Sequence, residues 1–235
     1  MLDSAKARGY RQGENPARWR GHLAQILPAR TRLSRGHHKA LAYEDIPSFV
    51  TALRSREAVA ALALEFTILT AARSGVVIGA TWDEVDLAKA IWTVPADRMK
   101  AGKEHRVPLS PRAVEILQEV RPLNKLDQAG APIFPGGRGT KLSGMAMSML
   151  LRRMKVDATV HGFRSGFRDW SAESTGYPQE VCEMALAHVI GNKAEAAYRR
   201  GDVLEKRRRL MTDWANYCSN PSTDKGKVTP IRTVG

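Results

Sequence analysis

Read in order along the chain, Arg73, a lysine at Lys100 or Lys103, His161, Arg164, His188 and Tyr198 carry side chains that can act together on a phosphodiester. Arginines and histidines bind the non-bridging oxygens of a phosphate, a lysine can protonate a departing oxygen, and a tyrosine can attack phosphorus. That is the set which metal-free phosphoryl transfer to a tyrosine requires. Singly, each has a plainer reading. Arg73, in "TAARSGVV", closes an apolar run, where it can complement a helix C-terminus or present its fork to a phosphate. Lys100 and Lys103 read as solvated loop lysines. In "HGFRSGFRDW", a turn of about 100° per residue brings His161, Arg164 and Arg168 within roughly 60° of one another. Phe163, Phe167 and Trp170 share the opposite side, so the expectation is an amphipathic helix whose His and two Arg face outward. His188 ends the apolar run "EVCEMALAH", as a cap or core histidine would. Tyr198, in "EAAYRR", has Ala194, Ala196 and Ala197 as small neighbours, and Arg199 and Arg200 add positive potential beside it.

The elements that must position these residues are legible as patterns. "YEDIPSFVTALRSR" sets Ile46, Phe49, Val50 and Leu53 on one helical stripe. "EAVAALALEFTILTAA" is apolar nearly all round and predicts a buried central helix. "IWTVP" and "HRVPL" are short β-type runs, and the polar segment between them can turn on Gly102, which predicts an antiparallel hairpin. "SPRAVEILQEV" has Ser110 as N-cap and Pro111 at the first helical position. A Gly/Pro-rich loop, "DQAGAPIFPGGRGTKLSG", leads to further helices as far as "CSNP", with a turn at Gly191 and Asn192. Residues 1–40 are polar and broken by Gly and Pro, which predicts short helical pieces and a linker without a core; "STDKGKVTPIRTVG" has the composition of a disordered tail. The fold class is mainly α with a small antiparallel three-stranded β-sheet.

Composition bounds the partners. The 235 residues, 43% of them hydrophobic, suffice for one substantial core with extensions. With 37 Lys and Arg against 24 Asp and Glu, the formal charge of +13 favours a polyanionic partner, nucleic acid first. Ribosomal and membrane-surface proteins are also basic, so charge alone leaves the partner open. No apolar run has the roughly 18–20 residues needed to cross a bilayer, and the start has no signal-peptide core; a soluble, cytoplasmic protein is expected. Cys182 and Cys218 lack metal-ligand spacing and read as free or buried thiols, and neither metal nor cofactor is expected.

On "TAARSG", "WTVPADRMKAGKEHRVPLS", "HGFRSGFRDWSAE", "EMALAHVIGNKAEAAYRRGD" and "KRRRLMTDWANYC", the sequence resembles the tyrosine recombinases, specifically the catalytic domain of phage-type integrases of bacterial genomic islands. The resemblance runs over residues 40–218 and implies that fold, with 41–218 as the catalytic domain and 219–235 as a tail. Residues 1–40 resemble the end of a core-binding domain and its linker, the rest of which, with the arm-binding domain, is expected to be missing. It also implies roles. Arg73 and Arg164 would clamp the phosphate, and Lys100 would be the general acid toward the 5′ oxygen, with Lys103 the competing assignment. His161 would assist proton transfer from the tyrosine or bind the phosphate, His188 would give it a second hydrogen bond, and Tyr198 would attack. Lys103, Arg168, Arg199 and Arg200 would contact DNA. The implied partner is double-stranded DNA at attachment sites, bound as a homotetramer assembled from monomers, with a DNA-bending accessory protein and a nucleoid location. Three residues after Arg73, where the family usually has an acidic residue, stands Val76. Valine accepts no hydrogen bond, so Val76 is expected to weaken catalysis without abolishing DNA binding. A topoisomerase-like nicking enzyme and a degenerate DNA-binding remnant are the competing readings.

Overall fold

The computed structural model describes residues 2–27, 39–123, 130–137, 140–188 and 203–221. The chain divides into two compact units, Met1–His37 and His38–Gly235. In the first, helix α1 (Leu2–Ala7), a helical turn at Trp19–Leu23 and α2 (Ala24–Ile26) contain no buried residue. Asn15 Nδ2 donates to Asp3 at 3.1 Å and Lys6 donates to Glu14, contacts between polar groups at the surface.

The second unit is built around a helix with no polar face. Helix α4 (Val59–Leu69) is buried at Ala61 and from Ala63 through Leu69, because its sequence offers apolar side chains on every side. Its one carboxylate, Glu65, is 2% exposed and accepts from Arg54 Nε at 2.7 Å and Arg112 Nε at 3.0 Å. Burial of that charge is tolerable because it is paired. Helix α3 (Ile46–Arg54) lays its predicted stripe of Ile46, Phe49, Val50 and Leu53 in the core. Helix α5 (Ser74–Ile78) follows α4 after a short turn, and α6 (Pro111–Val120) begins where predicted, the Ser110 side chain accepting from Ala113 N.

Between α5 and α6 lies the antiparallel sheet β1 (Val85–Asp86), β2 (Ile91–Val94) and β3 (His105–Pro108), in that order. Gly102 takes φ +62° in the β2–β3 connection, a left-handed conformation that glycine adopts without steric cost. Helix α7 (Ala146–Arg153) packs on α4.

Helices α8 (Gly162–Glu173) and α9 (Gln179–Ala185), with the C-terminal α10 (Leu204–Ser219), complete the core. The aromatic face of α8 is where the periodicity placed it. Phe163 stacks on Phe49 at 5.1 Å between centroids, Phe167 meets Trp214 edge-on at 5.4 Å, and Trp170 lies 4.9 Å from Trp214. Trp214 Nε1 also donates to the Ile68 carbonyl at 2.8 Å, tying α10 to the end of α4. Cys182 and Cys218 are buried free thiols. Among the described residues no helix is long and apolar enough to cross a membrane.

The start of α8 is fixed by close approach. A Cβ added at Gly162 would lie 2.3 Å from the Lys39 carbonyl oxygen and 2.8 Å from Ala40 Cα. Both are backbone atoms that cannot swing aside, so Gly162→Ala is expected to destabilise by about 3 kcal/mol, seen as a lower urea midpoint at unchanged m-value.

Candidate functional site

Of the candidate residues, Arg73, Arg164 and His188 come together near the C-terminal end of α4. There Ala71 takes φ +48°, the helix stops, and the chain runs extended to Arg73 (φ −74°, ψ 138°), the N-cap of α5. Val76 N and Val77 N donate to the Arg73 carbonyl at 2.9 and 3.1 Å. Arg73 therefore opens a new helix and does not close the long one, so the dipole-complementing reading does not hold.

Arg164, expected on an outward face, is buried at 5% exposure. The helical wheel gave its angle correctly, but the α4–α5 turn and the end of α9 cover that angle. Its guanidinium donates from Nη1 to the Ala71 carbonyl, and from Nη2 to the Leu186 carbonyl at 2.7 Å. His161, the N-cap position of α8, and Arg168, one turn beyond Arg164, remain exposed as predicted.

His188 follows α9 through a left-handed C-cap turn. Ala187 takes φ +49°, Ala187 N donates to the Met184 carbonyl at 3.1 Å, and His188 N donates to the Glu183 carbonyl at 3.0 Å. Such a turn folds the chain back over its own helix. His188 is not a core residue, its side chain being 38% exposed, and among the described residues its ring meets Arg164 and Glu183. Its Nε2 lies 3.2 Å from Arg164 Nη2, and its Nδ1 lies 2.5 Å from Glu183 Oε2.

A shallow cavity joins these elements, lined by Arg73, Val76, Trp92, His105, Val107 and Arg164 among others. Burial first, and then the charge of Arg73, hold the Arg164 guanidinium down at about 10, against the opposing pull of Glu183. It stays cationic at neutral pH. Two arginines close enough to feel one another, one of them desolvated, are suited to an anion with several oxygens.

Lys100 and Lys103 lie exposed in the hairpin connection, Lys100 just after the buried Met99, whose carbonyl accepts from Gly102 N at 2.9 Å. The connection is linked to α5 by Arg98, which pairs with Glu84 and donates to the Val76 carbonyl. Glu84 also accepts from Trp92 Nε1 at 2.8 Å. Tyr198, Arg199 and Arg200, with the turn expected at Gly191 and Asn192, lie outside the described residues.

Two residues of the site were not among those singled out in the sequence. His105 pairs with Val94 across the hairpin, and Val107 with Trp92. Side chains of paired residues share a face, so the alternation of "IWTV" against "HRVP" already turns His105 inward with Trp92 and Val94. The second, Glu183, stands five residues before His188, a spacing with no helical meaning until the C-cap turn is known.

His105 is held at about 4, first by burial and then by Arg207, with Arg164 and Arg73 adding to the effect and a hydrogen bond with the Ala185 backbone opposing it. The unfolded chain takes up this proton near 6.5 and the folded chain only near 4. Stability therefore falls as pH drops through that window, by roughly 3 kcal/mol at most. In urea titrations between pH 7 and 4, His105→Gln is expected to lose less stability than the wild type.

The model of the phage integrase family matches residues 39–204. Prophage integrase IntA of Escherichia coli (strain K12) is 34% identical over 177 residues, covering 72% of this chain and 41% of its own length. Prophage integrase IntZ of the same strain is 35% identical over 187 residues, covering 77% of this chain and 45% of its own. The chain thus spans less than half the length of either relative. The lambda integrase tetramer bound to a Holliday junction matches in structure with TM-score 0.54 at 18% identity, over 86% of this chain and 58% of that one.

Proposed function

From the premise that the chain belongs to the phage integrase family and has a tyrosine recombinase catalytic-domain fold, we propose that it breaks and rejoins DNA strands at specific sites, integrating or excising a mobile element. Residues 41–218 form the catalytic domain in this reading. The Tyr198 phenolic oxygen attacks the scissile phosphorus, the bond to the 5′ oxygen breaks, and a 3′-phosphotyrosyl link forms. The leaving oxygen takes its proton from Lys100, or from Lys103, and becomes a 5′ hydroxyl; His161 assists removal of the phenol proton. Arg73, Arg164 and His188 hold the non-bridging oxygens, where charge gathers in the transition state. Attack by a 5′ hydroxyl on the phosphotyrosine reverses the steps. The bond energy stays in the covalent link, so the chemistry calls for no cofactor.

One observation carries this reading: Arg164 is buried with Nη2 3.2 Å from His188 Nε2, on a cavity shared with Arg73. A buried cation oriented by two carbonyls and set beside a second arginine is costly to maintain, and an incoming phosphate compensates it. The test is a suicide DNA substrate, nicked so that cleavage releases a short fragment and traps the adduct. A protein–DNA adduct that resists denaturant supports the reading; its absence leaves the degenerate DNA-binding remnant, which Val76 in the cavity lining favours. Strand exchange between two duplexes separates a recombinase from a topoisomerase-like nicking enzyme.

Double-stranded DNA is the partner in this reading, contacted by Lys103, Arg168, Arg199 and Arg200, with monomers assembling as a tetramer on it as lambda integrase does on a Holliday junction. A DNA-bending protein and a cytoplasmic, nucleoid-bound location accompany it. Binding is expected to be salt-sensitive, since each phosphate neutralised costs about 3.5-fold in affinity for a fourfold rise in salt. A fluorescence titration between 50 and 200 mM salt is expected to lose more than about tenfold; a smaller loss would argue against a backbone-dominated interface.

A further inference from the structure

We propose that Glu183 is a positioning residue of this site, fixing the His188 ring with Nε2 toward Arg164 and supplying the negative charge that the cavity lining lacks. The inference rests on the DNA-cleaving reading. Among the described residues the lining contains Arg73, Arg164 and His105 and no carboxylate; Val76, on the same wall as Arg73, is apolar. Glu183 on α9 approaches from outside that lining. Its Oε2 is 2.5 Å from His188 Nδ1 and its Oε1 is 3.2 Å from Arg168 Nε. Pinned by two donors from different elements, and 19% exposed, the carboxylate has little freedom to turn away.

A carboxylate only accepts, so the proton between Glu183 and His188 belongs to Nδ1. In the free protein this sets the ring plane and leaves Nε2 as an acceptor for Arg164 Nη2 at 3.2 Å; with a proton on both nitrogens the ring keeps Nδ1–H on Glu183 and presents Nε2–H to a phosphate oxygen. Arg168, Glu183, His188 and Arg164 thus form one chain of contacts from the surface to the cavity. The same carboxylate acts on Arg164 against the repulsion from Arg73. Sequence position explains why it reaches. The left-handed turn at Ala187 returns the chain over α9 and sets His188 above Glu183.

The experiment uses the full chain on the suicide substrate, comparing wild type, Glu183→Ala, Glu183→Gln, Val76→Glu and the Val76→Glu/Glu183→Ala double variant. Glu183→Ala is expected to slow adduct formation about ten- to a hundredfold, with DNA affinity within about twofold of wild type. Glu183→Gln keeps an acceptor for Nδ1 without the charge and is expected to fall between. Val76→Glu is expected to restore part of the rate in the Glu183→Ala background, because it places a carboxylate beside the same arginines. Cleavage by Glu183→Ala at the wild-type rate overturns the proposal, and a double variant no faster than Glu183→Ala overturns its electrostatic half. Nitrogen-15 spectra of the histidine rings in the free protein give a readout independent of cleavage. If the wild type forms no adduct, the functional reading fails by itself, and the spectra decide the positioning. An Nδ1–H form of His188 released in Glu183→Ala sustains it, and one unchanged by the substitution overturns it.

Discussion

Arg164→Lys is expected to slow single-turnover adduct formation by about 10²–10³-fold, the range for losing one preorganised donor at a developing charge. Lysine keeps the positive charge, so the effect isolates geometry. The arginine fork serves the Ala71 and Leu186 carbonyls and His188 at once, and an ammonium on a flexible stem cannot reproduce that planar set. A second effect follows from burial. Ala71 and Leu186 present carbonyls to the guanidinium, and a buried acceptor left without a donor costs about 1–3 kcal/mol. The variant is therefore expected to melt several degrees lower, as about 1 kcal/mol moves a domain of this size by roughly 2–4 °C. Salt-dependent DNA binding is expected to change little, because the buried side chain contributes little to the surface charge that attracts DNA. A rate within threefold of wild type would remove Arg164 from the clamp.

Tyr198→Phe is expected to abolish the adduct altogether. Phenylalanine has no atom able to bond to phosphorus, so the loss is one of connectivity, not of degree. Removing a single oxygen leaves Arg199 and Arg200 in place, and DNA affinity is expected to stay within about twofold. Mass spectrometry of the trapped wild-type adduct is expected to map the DNA to the peptide containing Tyr198. An adduct persisting in Tyr198→Phe would assign the nucleophile to another residue and overturn the mechanism at its centre.

The helices were readable because their patterns are local. The stripe of α3, the all-round apolar α4, the Ser110 cap and the Gly102 turn each follow from side-chain periodicity or backbone preference within a few residues. The same local reasoning gave the aromatic face of α8 correctly and misjudged the face opposite. It placed Arg164 outward because a helical wheel reports angles around an axis, not what packs against each angle. The partners that bury Arg164 stand 93 and 22 residues away in sequence, at Ala71 and Leu186. His105 was legible in principle, through strand alternation, but its imidazole gains meaning only once Arg207, Arg164 and Arg73 gather around it.

What the sequence by itself determined is the order of the elements, their apolar faces, the basic charge balance, and the family through residues quoted in family order. Each depends on composition or on spacing along one chain. What only the tertiary structure decided is which polar groups share a low-dielectric cavity. Arg164 became a buried cation, His188 turned back onto Glu183, and Val76 came to face arginines with no carboxylate in the described wall. Those outcomes depend on long-range packing and on a left-handed turn at Ala187, a residue that gives no local sign of adopting one.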